Sequence, residues 1–138
     1  MALPASLTLE IVTPEGLLLR EQVEHVQAPG EQGYFGVLPG HTPFLATLGM
    51  GEISYRKDGV DRHLSCFWGF CEVLPDRVSI LAEIGERAEQ IDVERAEQAR
   101  QRAQERMKQI HDEKGYGEAH TDYVRAVTRL AVARKRRS

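Results

Sequence analysis

Ala28-Pro29-Gly30-Glu31-Gln32-Gly33-Tyr34-Phe35-Gly36-Val37-Leu38-Pro39-Gly40-His41-Thr42-Pro43-Phe44-Leu45-Ala46-Thr47-Leu48 is the stretch on which the reading of this chain turns. Glycine recurs at every third position from Gly30 to Gly36, and Pro39-Gly40-His41-Thr42-Pro43 then gathers turn-forming residues around one histidine. Glycine opens backbone conformations closed to other residues, and proline fixes φ and removes a donor. The run therefore specifies a tightly folded loop with short strand pieces at its ends. Spaced glycines also cradle phosphate, but that mechanism needs a helix N-terminus directly behind them. Val37-Leu38-Pro39 is strand and then turn, which argues against it.

Strand grammar extends outward from this loop on both sides. Leu7, Leu9 and Ile11 alternate with Thr8, Glu10 and Val12, a half-buried strand that stops at Pro14-Glu15-Gly16. Strands are expected at Val23–Ala28, Phe44–Leu48 and Ile53–Arg56. Asp58-Gly59 marks a hairpin returning through Val60 to Phe67, and Pro75-Asp76 joins Phe70–Leu74 to Arg77–Ala82. Short, evenly spaced strands with turns between them predict an antiparallel β-sandwich or barrel.

Near residue 85 the grammar changes. Asp92 to Ile110 contains no Gly or Pro and is rich in Ala, Glu, Gln and Arg, the strong helix formers. Asp92 is placed to cap this helix, and His111 to Gly117 breaks it before a second helix from about Glu118 to Arg134. Ala96, Ala99, Ala103, Met107 and Ile110 line one face of the first. Ala119, Tyr123, Ala126, Leu130 and Ala133 line one face of the second, so the pair is expected as an antiparallel hairpin. An alanine seam buries little area and cannot offset the backbone entropy of some ~50 ordered residues. The hairpin must lean on something else. The fold class is thus α+β, with a β-sandwich over residues 1–86 and a helical hairpin over 87–138.

Charge divides at the same place. Up to residue 84 there are five Lys and Arg against eleven Asp and Glu; after it there are thirteen against ten, for the net charge of −3. Hydrophobic residues make up 41 % of the 138, enough for a core, and no apolar run reaches a membrane span of about 20 residues. Met1 to Ser6 has neither a basic nor an apolar region of the kind an export signal needs. Cys66 and Cys71, five apart, are expected on opposite faces of a strand as buried free thiols. The five histidines show no metal-ligand spacing, and no nucleophile elbow or Walker-type loop is present. Nothing in the sequence reads as a catalytic constellation, and His41 reads as a structural turn residue. The basic tail Arg134-Lys135-Arg136-Arg137 lacks an aromatic stacking platform, so it reads as a solvated helix end and gives no case for nucleic acid.

Pro29-Gly30-x-x-Gly33-x-x-Gly36-Val37-Leu38-Pro39-Gly40-His41-x-Pro43 resembles the epsilon subunit of bacterial F-type ATP synthases, and the likeness runs from about Leu7 to Ala133. The resemblance implies a non-catalytic subunit of the rotating central stalk, coupling proton flow to rotary ATP synthesis. Its implied partners are the gamma subunit, the c-ring and the catalytic alpha and beta subunits. Its implied location is the cytoplasmic face of the bacterial plasma membrane, peripheral to the bilayer through the complex. The sandwich would meet gamma and the c-ring through the glycine loop, with Glu31 and His41 as exposed candidates. The helix pair would regulate ATP hydrolysis by moving between a folded and an extended position.

Ile91-Asp92-Val93-Glu94-Arg95-Ala96 is similar to the Ile/Leu-Asp-x-x-Arg-Ala signature through which some members of that family bind ATP. The resemblance carries nucleotide contacts onto Glu86, Ile91, Asp92, Arg95 and Ala96, and onto Arg125 and Arg129 of the second helix. No cofactor is required, and ATP would act as a regulatory ligand. Arg125 and Arg129 lie one helical turn apart, so both can face a polyphosphate. The plainer reading has Asp92 capping a helix and the arginines solvating its outer face. One departure stands out: Trp68 in Phe67-Trp68-Gly69-Phe70 occupies a position where the family usually has glycine. Two readings from other classes are a stand-alone ATP-sensing module without a stalk and a chaperone-like adaptor that clamps clients with its helix hairpin.

Overall fold

The computed structural model describes residues 3–136. Its strands are β1 (Leu7–Thr13), β2 (Gly16–Val23), β3 (His25–Gly30), β4 (Gly33–Val37), β5 (Phe44–Lys57), β6 (Val60–Leu74) and β7 (Arg77–Arg87). A single 3-10 turn over Ala88–Gln90 leads to α1 (Val93–Gln109) and α2 (Glu113–Ala133). The strands make one seven-stranded sheet in the order β2-β1-β7-β6-β5-β3-β4. All neighbours are antiparallel except β1 and β7, which run parallel. This is the expected β-sandwich followed by two helices, with one parallel pair among the antiparallel ones.

The sandwich arises because the long strands reset their alternation partway. In β6, Leu64 and Cys66 are buried in the core before Trp68, and Cys71 and Val73 are buried after it. The inward parity therefore changes from even to odd. Trp68 and Gly69 carry positive φ (62° and 150°), and β6 pairing steps from Phe67 to Gly69 on both sides. β5 makes the same change between Leu48 and Ile53, both fully buried. The core so enclosed includes Leu7, Leu9 and Ile11 of β1, Val26 of β3, Val37 of β4 and Ile80 of β7. The expectation that Cys66 and Cys71 face opposite sides is corrected by this reset: both point into one core as free thiols. Their burial pushes both thiols up to about 12.

The glycine run is a hairpin. Gly30 pairs with Gly33 across a turn at Glu31 and Gln32, and a Cβ at Gly30 would sit 2.8 Å from the Gly33 carbonyl. Pro39-Gly40 then closes onto the β6–β7 turn through Gly40 N–H, which donates to the Pro75 carbonyl at 2.7 Å.

The hairpin of helices does lean on the sheet. Ser65 and Phe67 alternate with the inward residues of β6 and are fully buried on its outer face. The guanidinium of Arg129 on α2 lies 4.9 Å from the Phe67 ring centroid. Val132 and Ala133 of α2 bury with Ala88 and Ile91 of the connecting segment. Past the helix, Lys135 Nζ donates to Glu52 Oε2 on β5 at 2.8 Å. Along the seam, Ala96, Ala103, Ala119 and Ala126 are buried, as their spacing requires. α2 begins at Glu113, earlier than expected, and takes Gly115 and Gly117 into its first turns. Asp112 makes this feasible: its carboxylate accepts the Gly115 N–H at 2.7 Å and satisfies a donor that has no partner within the helix.

Candidate functional site: the groove between the helices and the last strand

Three elements converge below the connecting segment. β7 ends by presenting Glu86, the segment after the 3-10 turn supplies Ile91 and Asp92, and α1 brings Arg95, Ala96, Ala99 and Arg102. With Gln90 and with Arg129 from α2, these residues line a cavity of about 420 Å³. That is within the range of small-molecule sites. Ile91 and Ala96, each 4 % exposed, provide an apolar floor. The alanines at 96 and 99 are what keep the space open. Six of the seven residues carried from the resemblance (Glu86, Ile91, Asp92, Arg95, Ala96 and Arg129) thus share one cavity.

Arg125, the seventh, lines an adjoining hollow of about 230 Å³ with Arg102, Arg106, Asp122 and Arg129. Arg102 and Arg129 border both spaces. Sequence reasoning passed over Arg102 and Arg106, although a signal existed. Arg102 follows Arg95 by seven residues, two helical turns, and so returns to the same face. Asp122 answers only part of this charge, accepting from Arg106 Nη1 at 3.1 Å.

The acidic groups here have structural partners. Asp92 accepts the Arg95 N–H at 3.0 Å and is the N-cap of α1, as the plainer reading requires. Glu86 Oε1 accepts from Arg129 Nε at 2.6 Å and from Ser65 Oγ at 3.2 Å, which ties α2 to the last strand. Arg125 is different: its Nε is buried and has no hydrogen-bond partner among the described residues. A clustered set of arginines with an unsatisfied buried donor, over an apolar floor, suits an anion attached to a flat apolar group. A nucleotide fits that description. Among the described residues, no group of three or more His, Cys, Asp or Glu could hold a metal ion.

A second surface lies on the sandwich. Glu31 is exposed at the tip of the β3–β4 turn. His41 is half-buried, its Nδ1 hydrogen-bonded to the Thr42 carbonyl at 2.7 Å, so it is partly a turn residue as expected. Both neighbour Phe44, which shares a hollow with Glu31 and lies 6.3 Å from the His41 ring. Around them the sheet leaves large apolar side chains uncovered, with Leu45 72 %, Leu38 64 %, Phe70 58 % and Leu81 58 % exposed. Phe70 and Leu81 are direct cross-strand partners, so they form one patch rather than scattered exceptions. The hydrophobic pattern alone did not reveal this patch, because it gives no sign of which strand face stays open. Arg137 of the basic tail lies outside the described residues.

Family comparisons agree with both halves of this architecture. Residues 6–88 match the family described as ATP synthase, Delta/Epsilon chain, beta-sandwich domain. Residues 89–134 match the ATP synthase, Delta/Epsilon chain, long alpha-helix domain. The chain belongs to the delta/epsilon chain family of ATP synthases. Its curated relatives are bacterial proteins bearing the name ATP synthase epsilon chain. That of Solibacter usitatus is 47 % identical over 97 % of this chain and 100 % of its own length. The Nitratidesulfovibrio vulgaris protein is 46 % identical over 92 % and 95 %. Among solved structures, a chain of the Euglena gracilis mitochondrial ATP synthase, solved as OSCP/F1/c-ring, shares the fold with a TM-score of 0.84 and 22 % identity. It is covered over 83 % of its length by 95 % of this chain.

Proposed function

We propose that this protein is a non-catalytic subunit of the rotating central stalk of an F-type ATP synthase. Its sandwich grips gamma and the c-ring and so helps couple proton flow to rotation and ATP formation. Its helix pair regulates ATP hydrolysis in the catalytic alpha/beta head. The observation that carries the reading is how the hairpin is attached. α2 and the residues just after it meet the rest of the protein through Glu86–Arg129, Lys135–Glu52 and arginines over an aromatic ring, with one small apolar cluster. An element held by a few charged contacts can leave one surface for another at modest cost.

The sandwich reading is supported by the exposed apolar patch beside Glu31 and His41 and by the assemblies in which the structural neighbours were solved. The Tetrahymena thermophila one, with a TM-score of 0.59 and 12 % identity, was solved as central stalk/c-ring. No helix among the described residues is long and apolar enough to cross a membrane. On this reading the subunit is peripheral to the bilayer through the complex, at the cytoplasmic face of a bacterial plasma membrane. ATP binds the groove as a regulatory ligand, with Arg95, Arg125 and Arg129 on its phosphates and Ile91, Asp92 and Ala96 near its base, and it favours the docked hairpin. Affinity capture of the tagged protein from its own cells tests the assignment. Recovery of a rotary ATPase with gamma and c subunits is expected; a stable monomer that binds ATP without stalk partners would indicate the stand-alone sensor instead.

A further inference from the structure

Trp68 is the sole tryptophan of the chain and its backbone is held at φ 62°. Among the described residues only one other non-glycine has positive φ, Asp58, which sits in an Asp-Gly turn where that conformation is ordinary. A bulky residue in the left-handed region is strained, and such strain persists where the surroundings dictate it. Gly69 beside it dictates part of it, since a Cβ there would lie 2.0 Å from the Leu81 carbonyl. The rest of the explanation lies above the ring. The Arg125 guanidinium is 5.2 Å from the Trp68 centroid and 5.9 Å from that of Phe67, and Arg129 is 4.9 Å from Phe67. Two aromatic rings on one strand therefore carry two arginines of one helix.

The geometry divides the labour within each arginine. A guanidinium stacks through its planar face and donates hydrogen bonds through its edge. With the face placed on an aromatic ring, the edge remains free to hydrogen-bond, and that of Arg129 already donates through Nε to Glu86 Oε1 at 2.6 Å. Both arginines border the hollow between α1 and α2, and the Arg125 Nε is buried without a partner among the described residues. We propose that Trp68 is a positioning residue: its ring, with that of Phe67, seats Arg125 and Arg129 so that α2 rests on the sheet while their donor edges face the interhelical groove. The seating is independent of any ligand. The presentation of donors to an anion rests on the nucleotide reading given above.

Glycine is the residue best suited to φ 62°, so its introduction separates strain in the sheet from seating of the helix. Trp68→Gly relieves the sheet while freeing the helix. In the full chain, amide exchange over residues 125–133 should rise about tenfold in W68G, and ATP affinity by calorimetry should fall about tenfold. The melting temperature of the sheet should stay level or rise. Trp68→Phe, which keeps an aromatic face, should restore most of both losses. Suppose wild-type protein gives no heat with millimolar ATP, yet exchange rises in W68G and recovers in W68F. The seating would then stand and the nucleotide reading would fall. Unchanged exchange and affinity in W68G, or a W68F variant as impaired as W68G, would overturn the proposal.

Discussion

Glu86 Oε1 lies 2.6 Å from Arg129 Nε, and this single contact joins the last residues of the sheet to the C-terminal part of the second helix. It also places a carboxylate where a phosphate would have to compete. Arg129 is paired with Glu86, so an entering polyanion must displace that carboxylate rather than meet a free cation. Glu86→Gln should therefore loosen the docked hairpin by about 0.5–1 kcal/mol, the scale of a partly exposed pair. The same change removes a like charge from the path of an anion and should tighten binding of a polyphosphate. Amide exchange of α2 and titration with tripolyphosphate measure the two effects. Tripolyphosphate affinity that stays level or falls while α2 exchange quickens would show that Glu86 does not compete for Arg129.

Among the described residues Arg95 has no ion-pair partner, and its side chain borders the larger of the two groove cavities. Arg95→Ala should lower ATP affinity about ten- to a hundredfold, the loss expected for one charge-assisted hydrogen bond. The cap at Asp92 uses the backbone N–H of this residue and survives the substitution. Circular dichroism should accordingly be unchanged while calorimetric affinity falls. Equal affinity in the variant would remove Arg95 from the site.

The domain division has a direct test in fragments. A chain ending near Arg87 retains all seven strands and the main core and should unfold cooperatively with a β-type spectrum. Residues 88–138 alone lose Glu86, Phe67 and Glu52, the groups on which α2 rests, and should be largely disordered. A cooperatively melting helical fragment would show that the alanine seam suffices by itself.

Buried acids set the alkaline limit. Desolvation pushes the Cys66 and Cys71 thiols up to about 12, from an ordinary 9.0. Tyr55, buried and beside Glu21, is likewise pushed up to about 12 from 10.0. Above pH 9 the unfolded chain releases protons that the folded chain keeps, so the unfolded state gains the advantage. Stability from these groups is fully present below pH 9 and is lost as pH rises from about 9 to 12. Urea midpoints should fall steadily across pH 8.5 to 10.5, and more gently in a C66A/C71A variant. A flat or rising midpoint would contradict the burial of these groups.

Much of this architecture was legible in local chemistry. Asp58-Gly59 turns where it should, with φ of 52° and 75° at its two central residues, and the alanine spacing located the helix seam. The long strands were not legible as single elements. Gly49, Gly51 and Gly69 read locally as places to stop, whereas β5 and β6 run through them because cross-strand pairing continues on both sides. There the glycines permit a bend. β2 showed no alternation in Leu17-Leu18-Leu19, since its register against β1 slips between Ile11 and Val12. The start of α2 was placed too late, because two glycines outweighed a cap at Asp112 that only the fold reveals. Of the groove, the residues in a contiguous signature were found. Arg102 and the aromatic seat beneath Arg125 were not, since they depend on which helix faces meet which strand.

The central claim, that the helix pair is a mobile regulator of a rotary enzyme, is tested most directly by ATP hydrolysis in the assembled complex after removal of everything beyond Gly117. That deletion removes Arg125, Arg129 and the basic residues that follow α2 while leaving the sandwich and its exposed patch in place. At low ATP and without a proton gradient, hydrolysis should rise several-fold over the full-length complex, with proton-driven synthesis largely retained. Hydrolysis at the unmodified rate under those conditions would contradict the account.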